Sequence, residues 1–278
     1  MMIGVKILAL FNPGYEMEKL SDHVTGMEGT YESTFQFLLN LFIILSRGDR
    51  RPSSIQLVSL LASLLMILKF QIEEFLTTMH RERLQPFDRI KQATPLFPMF
   101  LTNIVFRLGS IAVVVAVFRY WAILALVVSY VLALMIAKFA FQIDYAYFSC
   151  ISHAVGLGAF IPYGVLSQCI DSTTEKMMEN FLTNNITWFC IHPILLSICA
   201  VLTTIESELD HIKMFVQDPA YERNILHHNL VYLWALIAVI LLCGLTSAVL
   251  IYFQIWLPYK EEEKRKKKVN PDYHYLWS

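Results

Sequence analysis

Charge is what this chain has least of. Of its 278 residues only 16% are Asp, Glu, Lys or Arg, against 56% hydrophobic, and the mean hydropathy is positive at +0.51. So few charges cannot cover an ordinary soluble domain, and the composition reads as a polytopic membrane protein. Cations and anions nearly cancel, to a net charge of −1. That balance argues against a nucleic-acid binder, which needs a clustered cationic face. The one strong basic run, Lys264 to Lys268, lies in the tail, where setting topology is its simpler use.

Catalytic and ligand-binding signatures are equally sparse. The five cysteines, Cys150, Cys169, Cys190, Cys199 and Cys243, show no CxxC spacing, and all but Cys169 sit inside apolar runs. Neither a disulfide framework nor a zinc site is expected. The eight histidines form no HExxH, and the adjacent pair His227-His228 points two ways on a helix. There is no GxxxxGK[ST] loop, no soluble stretch large enough for an ATPase domain, and no GxSxG elbow. No enzyme, cofactor or metal is implied, which leaves passive movement or recognition. The start, Met1 to Phe11, is a short apolar run with no small-residue cleavage site before Asn12-Pro13-Gly14, so it does not read as a signal peptide.

What is present is a series of long apolar runs. Crossing a bilayer takes about 20 such residues. Cutting the pattern by length and polar breaks predicts an all-α bundle of about seven apolar helices, at Ser33–Ser46, Ile55–Phe75, Met99–Phe118, Trp121–Ile143, Tyr145–Gln168, Phe181–Ile205 and Leu230–Leu257. The first is too short for a full crossing, and the fifth carries Gly156, Gly158, Pro162 and Gly164. Both are candidates for re-entrant half-helices, which survive at membrane depth only where protein or a wet cavity shields the backbone. Residues 1–259 form a single membrane domain in this reading, and residues 260–278 a basic tail.

Orientation follows from the basic residues beside the spans. The tail from Lys260 to Lys268 holds six of them, and the connection from Thr77 to Thr94 carries Arg81, Arg83, Arg89 and Lys91. Both are expected in the cytosol, and the mainly acidic loop from Glu206 to Arg223 outside. The count of crossings then leaves Tyr145–Gln168 with no net crossing. It also puts Arg47, Arg50 and Arg51 outside, an exception to the rule.

Polar residues at membrane depth are expensive, so each asks for a reason. Glu32 and Gln36 stand at the mouth of the first apolar run. Lys69, Glu73 and Glu74 lie near the end of the second; Lys69 and Glu73 are four apart and share a face, where pairing and snorkelling at a helix end are competing uses. Arg107 has apolar or weakly polar residues on both sides and is expected to face the bundle, towards a carboxylate such as Glu32 or Glu73. Asp144 and Glu179 are weaker candidates, being placed as interfacial caps would be. Ser59 and Ser63 form a small-xxx-small pair suited to close helix packing. Asn185-Ile186-Thr187 matches a glycosylation sequon but falls inside a predicted span, so it is expected to be unused.

Several of these residues resemble the XK-related membrane proteins, a family that includes phospholipid scramblases. Glu32-Ser33-Thr34-Phe35-Gln36-Phe37-Leu38-Leu39 is similar to that family's Glu-Thr/Ala-x-Pro-Gln stretch before a leucine-rich helix, with Phe35 in place of the usual Pro. The Ser-containing helix Leu57 to Phe75, Phe106-Arg107-Leu108-Gly109-Ser110, and Glu179-Asn180-Phe181 also resemble family patterns. The likeness extends from Glu28 to Leu257 through short motifs. It implies an energy-independent path for phospholipid headgroups, exposing phosphatidylserine at the plasma membrane of dying cells, with Glu32, Gln36, Lys69, Glu73 and Arg107 along it. It also implies a single-span glycoprotein as a candidate partner. The family's first spans are missing from the pattern, as in a shortened relative or a fragment. Family members are known for caspase-cleaved tails, whereas this tail offers only Asp272 and no acidic tetrapeptide. The competing reading is a transporter or channel subunit for a small solute or ion; a receptor or a non-transporting structural partner has less support.

Overall fold

The computed structural model of the chain describes residues 15–46, 52–79, 86–118, 121–141, 174–213 and 230–269, and these are helical almost throughout. In order they form α1 (Tyr15–Ser46), α2 (Ser54–Met79), α3 (Pro86–Phe118), α4 (Ala122–Phe141), α5 (Thr174–Lys213) and α6 (Leu230–Ile251). A π-helical turn, Tyr252–Trp256, then joins α6 to α7 (Leu257–Val269) without a break. Four stretches are long and apolar enough to cross a membrane: Ser54–Leu76, Ile90–Phe118, Asn184–Ile205 and Val231–Glu262, with a shorter apolar helix at Ala122–Ile136.

Among the described residues four helices are long and apolar enough to span, so the helical bundle is as expected while a count of about seven apolar helices is not confirmed. Ser33–Ser46 is the apolar end of a 32-residue helix whose first half is polar. Met99–Phe118 is part of a helix that begins at Pro86 and runs through Pro95 and Pro98. The helix starts well before the apolar run, inside the stretch Thr77 to Thr94 that was expected as a connection. Hydroxyls of Thr94 and Thr102 donate to the carbonyls of Ile90 and Pro98, both at 2.8 Å, each a side-chain back-bond to the carbonyl four residues earlier. Tyr145–Gln168 lies outside the described residues.

Local chemistry sets the start of α2. Ser53 Oγ accepts the Gln56 N–H at 3.2 Å while Gln56 Oε1 accepts the Ser53 N–H at 3.0 Å, a reciprocal cap that satisfies two backbone donors. Further along, leucines and isoleucines on two adjoining faces do different jobs. Ile67, Leu68, Ile72, Phe75 and Leu76 are buried, whereas Leu57, Val58, Leu61 and Leu65 are exposed.

The central helix is α3, which packs on α1, α2, α4, α5 and α6. Of its apolar stretch 72% is buried, against 28% for the spans at Ser54–Leu76 and Val231–Glu262, which place them on the periphery. One apolar cluster joins Ile72 and Phe75 of α2, Met99 and Phe100 of α3, Phe181 of α5, and Ile251 and Ile255. A second, at the other end, joins Leu45 of α1, Val113 and Ala116 of α3, Leu196 and Ala200 of α5, and Leu233 and Ile237 of α6. These pairings make α1 and α5 run parallel to α3, and α2 and α6 antiparallel to it. Ala133 packs with Ile111, while Ala125 and Leu126 pack against the Val113–Ala116 level, so α4 is antiparallel too.

The polarity of the bundle is inverted relative to a soluble domain. Arg107, Asn103, Ser110, Asn185, His192, Thr203 and Ser247 are buried, while α4 exposes Ile123, Val127, Val131 and Met135 and α6 exposes Trp234, Val239, Leu242, Leu245 and Val249. Water would penalise such outer faces by their full apolar area, and lipid does not. The chain is a membrane-embedded helical bundle.

Candidate functional site

Two polar groupings stand out, one at the surface and one inside. The surface grouping is the seam between α1 and α2, which pack along most of their shared length. Their register is read from three contacts. A Cβ on Gly29 would overlap the ring of Phe70, Gln36 meets Ser63, and Asn40 meets Ser59. Each step along α1 is thus matched by an equal step back along α2.

Ser59 and Ser63 do serve close packing, and they also carry hydrogen bonds. Asn40 Nδ2 donates to Ser59 Oγ at 3.0 Å, Ser63 Oγ donates to Gln36 Oε1 at 3.4 Å, and Gln36 Nε2 donates to Glu32 Oε1 at 3.4 Å. Glu32 and Gln36 are exposed, beside Phe35 and Leu39, which are 70% and 60% exposed. Further along α2, Lys69 and Glu73 are exposed as well. Lys69 Nζ lies 5.7 Å from the ring centroid of Phe70, the ring that covers Gly29. The structure therefore brings Glu32, Gln36, Lys69 and Glu73 onto one side of the bundle, with Asn40, Ser59 and Ser63 completing the series.

Its extent is the notable quantity. From Ser59 to Glu73 the rise is about 21 Å at 1.5 Å per residue, some two-thirds of a hydrocarbon core about 30 Å thick. Within the span Ser54–Leu76, Ser59 is five residues from one end and Glu73 three from the other. Polar atoms thus follow one another down a helix pair whose neighbouring outer surface is apolar.

The interior grouping centres on Arg107, which is fully buried on the central helix. Its Nε donates to Asn103 Oδ1 at 2.6 Å and a terminal nitrogen donates to Asn185 Oδ1 at 2.7 Å. Asn103 Nδ2 donates to the same Asn185 oxygen at 2.8 Å, and Asn185 Nδ2 donates to the Phe181 carbonyl at 2.8 Å. Arg107 faces the bundle as expected, and amide oxygens of α3 and α5 stand where a carboxylate of Glu32 or Glu73 was anticipated. Asn185 is 1% exposed and engaged on both ends of its amide, so the sequon at this position is sequestered by packing.

Around this centre the polar character continues. Asn184 Oδ1 and Thr187 Oγ1 are buried without a hydrogen-bond partner among the described residues. The His192 ring stacks on Trp188 at 5.1 Å and meets Phe106 edge-on at 5.3 Å. Sequence reasoning missed Asn103 and Asn185 as partners of Arg107. The signal for Asn103 was its position four residues before Arg107 on one helix; nothing local marks Asn185, which arrives from a distant helix. Asp144 lies outside the described residues. Glu179 falls in the first part of α5, with its side chain outside the description.

No family model matches the chain, and no curated protein or solved structure matches it.

Proposed function

We propose that this chain is an energy-independent path for phospholipids, in which headgroups cross along the α1/α2 seam while acyl tails remain in lipid. The observation that carries the reading is the polar series Ser59, Asn40, Ser63, Gln36, Glu32, Lys69 and Glu73, exposed in part and extending over most of a membrane span. A zwitterionic headgroup leaving water loses its hydrogen bonds, and a file of hydroxyls, amides and opposite charges replaces them stepwise. The resemblance to XK-related proteins points the same way and adds phosphatidylserine exposure at the plasma membrane, with the basic tail in the cytosol and a single-span glycoprotein as a partner to look for.

The test is a dithionite assay on purified chain in liposomes with fluorescent phospholipid and no nucleotide. Bleaching past the outer leaflet is expected, and the double variant Gln36→Leu, Ser63→Ala should slow it about tenfold, the effect of losing roughly 1.4 kcal/mol from two hydrogen-bonding groups. Bleaching that stops at the outer leaflet, with folded protein, removes the proposal. The second reading, a transporter or channel subunit for a small solute or ion, is favoured by the interior Arg107 grouping. It predicts solute flux that responds to Arg107 and not to the seam.

A further inference from the structure

We propose that the junction of α3 with the π-turn after α6 is a binding site for a phospholipid headgroup bearing a primary ammonium, as in phosphatidylethanolamine, held by Asp88, Gln92 and Gln254. The inference rests on the membrane embedding of the bundle and not on movement of lipid along the α1/α2 seam.

Two acceptors without donors mark the place. Gln92 Oε1 on α3 and Gln254 Oε1 in the π-turn are both buried with no hydrogen-bond partner among the described residues. A carbonyl oxygen shut away from water is costly to leave unpaired, so each asks for a donor.

Packing sets the two glutamines opposite each other. Phe106 of α3 faces Gly244 of α6, and the Ser247 hydroxyl donates to the Met99 carbonyl at 3.4 Å, so each step back along α3 is met by a step forward along α6. Gln92 lies seven residues before Met99, and Gln254 lies seven after Ser247. Seven residues return a helix to within about 20° of the same face. The two carboxamides therefore share one level of the interface between these helices. At that level the helix widens into the π-turn, where the Leu257 N–H donates to the Tyr252 carbonyl, a local geometry that recurs at functional sites.

Asp88 adds charge to the pair. It stands four residues before Gln92 on the same face of α3, is exposed, and precedes the spanning stretch that begins at Ile90. One carboxylate and two amide oxygens match the three N–H groups of a primary ammonium. Ca²⁺ and Mg²⁺ take about six oxygens or more, and the quaternary ammonium of phosphatidylcholine has no N–H to donate.

The surroundings favour a lipid over a free amine. Trp256, half-buried at the end of the π-turn, marks the depth at which amphipathic rings settle. Ile90 and Phe253, beside the two glutamines in sequence, are 67% and 61% exposed and offer apolar surface to acyl chains. Lys91 is exposed next to Gln92, a point charge suited to the headgroup phosphate. Both glutamine side chains are half-buried, so part of each reaches the surface on which a headgroup lies.

The experiment is native mass spectrometry of the full chain released from mixed micelles that hold equal amounts of phosphatidylethanolamine and phosphatidylcholine with the same acyl chains. Retained phosphatidylethanolamine should exceed phosphatidylcholine about tenfold, the effect of about two hydrogen bonds, and the excess should fall stepwise as the amine is methylated. Asp88→Asn should cut the ratio about threefold, on the scale of an exposed charge pair. Gln92→Leu combined with Gln254→Leu should bring it close to one. Equal retention of the two lipids by the unaltered chain overturns the proposal, as expected if water alone satisfies these oxygens, and this comparison needs no variant to fold. A preference that survives both Asp88→Asn, at an exposed position, and the paired glutamine variant also overturns it. Displacement of the lipid by soluble glycerophosphoethanolamine overturns it in favour of a free amine.

Discussion

A guanidinium in an apolar bundle needs compensating dipoles, and Arg107 finds two that belong to different helices. Asn185 Oδ1 accepts from both Arg107 and Asn103, so removing Arg107 or Asn185 leaves buried polar atoms of the remaining side chains with fewer partners. Such orphaned groups cost about 1–3 kcal/mol each. Arg107→Ala and Asn185→Ala should each lower the midpoint of unfolding in detergent, and the double variant should lose less than the sum, with a coupling of about 0.5–3 kcal/mol. Additive losses would mean that the three side chains are neighbours and not a network. Arg107→Lys should not rescue, because one ammonium cannot reproduce the fork that addresses two amides. The sequence made Arg107 visible as a cation between apolar residues. It pointed to the wrong partners, because residue type suggests a carboxylate while only the fold brings an amide from 78 positions away.

Helix pairs are where small residues decide the geometry. Gly244 on α6 faces Phe106 on α3, and a Cβ there would lie 2.6 Å from the ring. Phe106 cannot yield, since Phe189 lies 5.4 Å away and His192 5.3 Å away. Gly244→Ala should therefore cost about 1–3 kcal/mol as overpacking. Gly29 on α1 makes an even closer approach, to Phe70, yet that ring is only half-buried and can swing aside. Gly29→Ala should cost less, and a reversed order in thermal denaturation would count against this account of the two interfaces. At this scale the apolar periodicity of α2, α5 and α6 was legible, because long runs of one character need no partner to be recognised. The full lengths of α1 and α3 were not. Polar turns precede the apolar part of α1, and prolines that would end a helix in water are carried inside α3. The polar seam was half legible: Glu32, Gln36, Lys69 and Glu73 stood out by cost, whereas Asn40 and the hydrogen-bonding use of Ser59 and Ser63 depend on the α1/α2 register.

For the whole molecule the consequence of the packing is a partition of ends. Because α1, α3 and α5 run one way and α2, α4 and α6 the other, Phe141 and Thr174 lie at the same end of the bundle, together with the α2/α3 connection and the start of α7. Lys91 near the start of α3 and Lys260, Lys264 and Arg265 of α7 are carried there. The positive-inside tendency makes the cytosol the proposed side for these cations, which epitope tags test. A tag placed after Ser278 should then bind antibody only in permeabilised cells, while one inserted between Glu208 and Glu222 should bind in intact cells. The converse pattern would put these cations outside and invert the assignment. Labelling of both tags in intact cells would be more damaging still, because α6 would then not cross between them, and its antiparallel packing along α3 could not hold.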